Sequence, residues 1–385
     1  MRRRNLSMLI AFLFIGNVSI SYAQEENNEK DKFFVSAQIR TRGEYRNGAL
    51  YPRNESDLPS GFINERARLS LGYERQRLSL KFSAQHVGVW GQDALVDKNG
   101  RFILNEAWAA FEFNDYWFMQ LGRQALSYDD ERILGGLDWN VAGRYHDALK
   151  IGYRKNGHQL HGIFAFNQND ENVIGGTFYD SSKTKLYKNM QTLWYHYDFA
   201  STPLQFSIMA MNLGQEGGDA ESRKSDTQYM QTFGTYIKYA PGQWNLSGAF
   251  YYQFGKNVSS RSVSAFMGSA RASYNINKSW SVNVGTDYLS GNDKSDGTYK
   301  AFNPLYGTHH KFYGAMDYFY ASAWQGVAPG LQDAQLGVNF KTSKQVSMQL
   351  NYHYFATAAK LDDVKKGLGS EIDYQLDWNV MKGVK

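Results

Sequence analysis

FFVSAQIRTRGEYR, residues 33–46, alternates between apolar and polar side chains. Phe33, Val35, Ala37, Ile39 and Tyr45 share one parity; Ser36, Gln38, Arg40, Arg42, Glu44 and Arg46 share the other. A period of two sends these sets to opposite faces of a β-strand. Lysine or arginine turned toward lipid at mid-depth costs roughly 2 to 4 kcal/mol, so in a membrane the charged row faces a lumen. FINERARLSLGY, residues 62–73, repeats the pattern, with Leu69, Leu71 and Tyr73 opposed to Asn64, Arg66, Arg68 and Ser70. Lys81, Lys150 and Arg271 fall on the polar face by the same rule. Parity is open after Gln85 and around Gly122, where a bulge could switch faces.

From Lys32 onward one unit recurs: an alternating run, a tight polar turn, a second run, then a longer loop rich in Gly, Asn and Asp. Tight turns fall near 74–77, 114–116, 155–157, 200–203, 240–243, 276–279, 342–345 and 379–384. Longer loops fall near 47–60, 91–102, 129–145, 170–186, 214–225, 255–261, 291–331 and 357–368. Short connections on one side and long ones on the other are the asymmetry of outer-membrane barrels. The eight hairpins predict an all-β fold, a transmembrane antiparallel up-and-down β-barrel of sixteen strands over residues 32–385, with both termini in the periplasm. A soluble β-sandwich or β-helix is the alternative.

Composition agrees. Residues 1–23 combine Arg2 to Arg4, an apolar run and Ser21-Tyr22-Ala23, the layout of a secretory signal cleaved after Ala23. Residues 24–31 form an acidic lead-in. Loss of the three arginines takes the formal charge from +5 to +2, 39 bases against 37 acids, which points to no nucleic-acid partner. With no cysteine, disulfides, lipid anchors and thiolate metal sites are excluded. No run of 18 apolar residues follows the signal, yet aromatics make up 16% of the sequence, as a barrel with aromatic girdles requires. The implied setting is the outer membrane of a Gram-negative bacterium, with its lipid as one partner.

LGRQALSYDDERILGGLDWNVAGRYHDAL (121–149), NEAWAAFEF (105–113), YLSGND (288–293) and FNPLYGTHHKFYGAMDYF (302–319) carry, with residues 62–73, a resemblance to the alginate-export family of outer-membrane barrels. The resemblance implies an electropositive conduit for a uronate polymer, with Arg66, Arg68, Arg123, Asp129, Asp130, Arg132, Arg144 and Asp147 at matching positions. It also implies a periplasmic plug loop, for which every short turn here is too small, and a barrel of eighteen strands. On that count, and because the sequence stops at Lys385 after NVMKGVK, a final hairpin is expected to be missing. A true sixteen-stranded barrel is the alternative.

The candidate lumen set is Arg40, Arg42, Arg66, Arg68, Lys81, Arg123, Arg132, Arg144 and Lys150, interspersed with Glu44, Glu106, Glu112, Asp129, Asp130 and Asp147. Arginine forks fit carboxylates, so such a row could hand an anion along; equally, acids and bases could pair and brace the wall. Residues 291–331 make a loop long enough to be functional, and its segment 309–322, with His309, His310, Lys311 and Asp317, reads as a short helix folding over or into the mouth. Adjacent histidines without further ligands do not make a metal site, and residues 292–297 read as a plain turn. No hydrolase, metalloprotease or nucleotide motif is present. The reading is a channel without cofactor or enzymatic activity for anionic solutes or an anionic polysaccharide, with periplasmic export components as further partners. A general or sugar-selective porin, and an envelope adhesion or structural barrel, are the rival readings.

Overall fold

The computed structural model describes residues 18–23, 31–47, 55–96, 101–171, 174, 176–182, 186–293, 297–321, 328–360 and 365–384. A short strand β1 (Val18–Ala23) precedes sixteen barrel strands: β2 (Lys32–Arg46), β3 (Ser60–Arg75), β4 (Leu78–Val89), β5 (Ile103–Glu112), β6 (Trp117–Gln124), β7 (His146–Lys155), β8 (His158–Phe166) and β9 (Asn189–Asp198) make the first half. The second half is β10 (Leu204–Glu216), β11 (Thr227–Tyr239), β12 (Trp244–Lys256), β13 (Ser262–Asn275), β14 (Trp280–Leu289), β15 (Leu331–Lys341), β16 (Val346–Ala356) and β17 (Gly367–Trp378). Each strand pairs antiparallel with the next, so the sixteen expected strands appear in their expected order. β1 pairs along the other edge of β2, Val18 opposite Ile39. No described helix is long and apolar enough to cross a membrane.

The two faces separate as the alternation requires. On β2, Phe33, Val35, Ile39 and Tyr45 are exposed to the outside, while Arg40, Arg42 and Glu44 turn inward. The expected irregularity near Gln85 is present: β4 and β5 slip register between Ser83 and Ala84. Tight turns are closed by local chemistry. Asn156-Gly157 supplies the two positive φ angles, 50° and 83°, of a hairpin whose twist matches its strands. Asn114 and Asn277 each accept two backbone N–H groups, those of Tyr116 and Trp117 and of Ser279 and Trp280.

The core lies inside the barrel. Two long loops fold into the lumen, the third (residues 125–145) and, in its described residues, the seventh (290–330). They pair with each other: Tyr306 N–H donates to Ile133 O (3.0 Å), Gly135 N–H to Tyr306 O (2.9 Å) and Thr308 N–H to Glu131 O (2.8 Å). A Cβ at Gly307 would run into the Arg132 carbonyl, so only glycine permits this approach. Leu126, Ile133, Leu134, Phe312 and Tyr313 are buried against the inward methionines Met190, Met209, Met211 and Met267. Methionine's flexible thioether suits a wall that must conform to irregular loops. The seventh loop contains a 3₁₀ turn at His309–Lys311 and a one-turn helix α1 (Tyr318–Ala321), inside the barrel; residues 322–327 lie outside the described set.

Candidate functional site: the lumen and its two inner loops

The arginine row of β2 and β3 grips the tip of the third loop. Arg66 is fully buried; its guanidinium donates to Asp138 Oδ1 (3.0 Å) and Gln38 Oε1 (2.6 Å). Arg68 reaches Asp138 (3.3 Å) and Gln85 (2.8 Å), Arg40 the carbonyls of Asp138 and Trp139, and Arg42 the Trp139 carbonyl (3.2 Å) and Glu44 (2.6 Å). Arginine suits this role because its five donors can serve several carbonyls at once. The Trp139 ring lies stacked on His310 of the seventh loop, centroids 3.9 Å apart.

Deeper in, Arg132 is enclosed by both loops and the wall. It pairs with Asp130 (2.8 Å) and Asp287 (2.8 Å), and its guanidinium stands 3.9 Å from the Phe312 centroid. Burial works against its charge, but Asp287, Tyr313 and Asp130 outweigh it and raise its pKa above the ordinary value. Arg271 shares Asp287 (2.6 Å). Arg144 binds the carbonyls of Tyr306 and Gly307, the latter at 2.9 Å, and Lys311 donates to the Asp130 carbonyl (3.2 Å). His310 faces Asp317 (3.0 Å), and His309 the Pro304 carbonyl (3.2 Å); burial pushes His309 down to about 4. On β17, Glu371 accepts Met316 N–H (2.8 Å) and Asp373 accepts Ala315 N–H (3.1 Å), which ties the seventh loop to the last strand.

The remaining expected residues are dispersed. Lys81 pairs with Glu106 (2.5 Å), Glu112 with Arg154, and Lys150 lies 5.9 Å from the Phe118 ring. Arg123 and Asp147 are a correction. They pair bidentately (2.8 and 2.9 Å) on the parity of Leu121, which is 56% exposed, while their neighbours Gln124 and His146 turn inward. This pair therefore stands on the outer face at the strand ends, where a charge costs only about 0 to 1 kcal/mol near the membrane interface. The sequence left parity open around Gly122, and the register of β6 with β7 settles it.

Asp129 accepts Trp194 Nε1–H (3.0 Å) and is bonded by Ser207; burial raises its pKa. Ser207 Oγ also lies 2.8 Å from His196 Nδ1, and His196 Nε2 3.2 Å from Asp198. The residue types are those of a hydrolytic triad, brought level by the Ser207–His196 register. A nucleophile, however, must be open to a substrate carbonyl. Ser207 is fully buried, so the trio braces the third loop. Among the described residues no group of three or more His, Asp or Glu side chains has metal-binding geometry.

Between the inner loops and β12 to β17 lies a cavity of about 860 Å³. Its wall is built from rungs of neutral amides. Gln375, Gln349 and Asn339 stand level across β17, β16 and β15, and Asn351 and Asn283 flank Gly337 in the next rung. Arg271, Lys311, Asp138 and Asp373 also border it. The signal was present in the sequence as Asn or Gln alternating with apolar residues, as in QLNYHY (349–354), but only register shows that the amides align.

The sequence profile described as alginate export matches residues 35–372. The chain belongs to the alginate export family. Among curated proteins no sequence match is found. Among solved structures it is similar to Pseudomonas aeruginosa OccK11 (TM-score 0.54, 10% identity, covering 90% of this chain and 84% of that one) and OccK5 (0.54, 10%, 91% and 88%). It is also similar to Salmonella typhi OmpF, solved with daunomycin (0.51, 10%, 92% and 99%). At such identity these likenesses speak for the fold. Family and fold together make this alginate export family member a porin-like channel of the Gram-negative outer membrane.

Proposed function

We propose that this channel passes hydrophilic solutes of the saccharide class, short uronates included, and that the amide-runged cavity is where they are sorted. The carrying observation is that cavity. An amide both donates and accepts, so a wall of Gln375, Gln349, Asn339, Asn351 and Asn283 can exchange bonds with successive hydroxyls without favouring one charge. Four of the arginines expected to line an anion path, Arg40, Arg42, Arg66 and Arg68, are engaged with the third loop, which speaks against charge as the main selector. Arg271 and Lys311 border the same cavity and would accommodate a carboxylate. Passage of a long polymer would require Leu126, Leu134, Phe312 and Tyr313 to unpack, so short chains are favoured.

In this reading the long loops face outside and the short turns the periplasm. The segment 1–23 acts as the export signal, and its removal after Ala23 takes β1 off the edge of β2. The test is uptake of mono- and disaccharides into proteoliposomes by the wild type and by Asn339→Leu/Gln349→Leu. Saccharide flux should fall several-fold while small-ion conductance is kept. Permeation ranked by solute size alone, unchanged in the variant, would overturn the proposal.

A further inference from the structure

A second cavity, of about 610 Å³, opens among the long loops and shares no lining residue with the amide-walled one. It is bordered by Tyr299, Phe302 and Tyr320, by Asn257, Asn303, Gln215 and Ser259, and by Val258. Among the described residues no Asp, Glu, Lys, Arg or His lines it. We propose that this cavity is a binding site for a neutral di- or trisaccharide, which collects solute at the outer mouth; the proposal rests on the saccharide reading above.

Three observations carry it. The first is chemistry: aromatic faces beside amides and a hydroxyl match a sugar's alternating C–H faces and hydroxyl edges, and a pocket of several hundred Å³ holds a ligand of that size. The second is unspent donors. Asn257 uses its side-chain oxygen on the N–H groups of Ser259 (3.1 Å) and Arg261 (3.0 Å), and Asn303 uses its own on Leu305 N–H (3.0 Å). Among the described residues neither amide nitrogen has a protein acceptor. The third is preorganisation. Tyr299 is clamped to β13, its N–H donating to Ser262 O (2.7 Å) and its carbonyl accepting Ser264 N–H (3.0 Å). Gln253 holds the backbone of Asn303 at both ends, accepting its N–H (2.9 Å) and donating to its carbonyl (2.7 Å). A site fixed before the ligand arrives loses less on binding. Arg261 stands 5.4 Å from the Tyr299 ring and stiffens that platform.

The experiment is block of single-channel current by cellotriose added to one chamber at a time, on channels of known orientation. The wild type should be blocked from the loop side at about tenfold lower concentration than from the turn side. Tyr299→Ala should abolish the difference, Tyr299→Phe should keep it, and Val258→Trp, which fills the cavity and leaves Tyr299 itself unaltered, should abolish it. Unblocked conductance equal to the wild type certifies that each variant is folded. Equal block from both sides in the wild type, or persistence of the difference in Tyr299→Ala and Val258→Trp, overturns the site while leaving the saccharide reading standing. A triuronate that blocks from the loop side as well as cellotriose overturns its preference for neutral chains. Absence of both block and saccharide uptake overturns this site together with the proposed function.

Discussion

Replacing Arg132 with Met should loosen the two inner loops without opening the barrel. Methionine fills most of the space of the arginine stem, so the apolar packing on Phe312 is largely kept. The guanidinium is lost, and with it the bonds to Asp130 and Asp287 and the stacking on Phe312. Breaking a buried pair costs about 3 to 5 kcal/mol because it strands the remaining charge. Here Asp287 keeps Arg271 at 2.6 Å, and Asp130, at 15% exposure, can reach water, so the lower end applies. About 3 kcal/mol raises the population of the opened loop pair roughly a hundredfold. The assay is native-state hydrogen exchange at Tyr306 and Thr308, whose amides donate across the loop pair to Ile133 and Glu131. They should exchange about a hundredfold faster, while amides of β10 to β13 are unchanged. Equal protection in the variant would refute the claim that Arg132 holds the loops together.

Replacing Arg66 and Arg68 together with Glu should enlarge single-channel conductance, because two new anions would face Asp138 and push off the tip of the third loop; a change in ion selectivity at constant conductance would contradict this. Arg123→Ala should leave conductance and selectivity as they are, since its pair with Asp147 faces outward; altered reversal potentials would return it to the lumen. Acid should loosen the seventh loop through His309. Burial lowers its pKa from 6.5 to about 4, so the released loop binds the proton more readily than the packed one. The stabilising effect is full above about pH 6.5 and fades as pH falls toward 4. Openings should become more frequent across that window, less so in His309→Phe; a pH response unchanged by the substitution would exclude this residue.

The barrel was legible because two solvents write it into the strands: lipid selects Phe33, Val35, Leu69 and Leu71 on one parity, and the interior selects Arg40, Arg66 and Arg68 on the other. Tight turns were legible through local backbone demands, Asn156-Gly157 most directly. The inner loops were not, because Leu126, Ile133 and Leu134 have no period of their own and sit in a stretch dominated by charge. Within that stretch Arg132 is fully buried and paired with Asp287, itself buried on β14. Residues that matter through register were also hidden. Asn339, Gln349 and Gln375 look like polar background until the strands are aligned, and Ser207, His196 and Asp198 meet only across the β9–β10 ladder. Charge is the visible selector in the sequence; the fold spends that of Arg40, Arg42, Arg66 and Arg68 on holding the third loop.

The central claim is that the third and seventh loops, packed together inside the barrel, set the width of the channel. Single-channel conductance of the wild type against a variant with residues 292–328 replaced by a short Gly/Ser linker measures this directly. The variant should insert normally and conduct several-fold more current. Insertion with wild-type conductance would contradict the account.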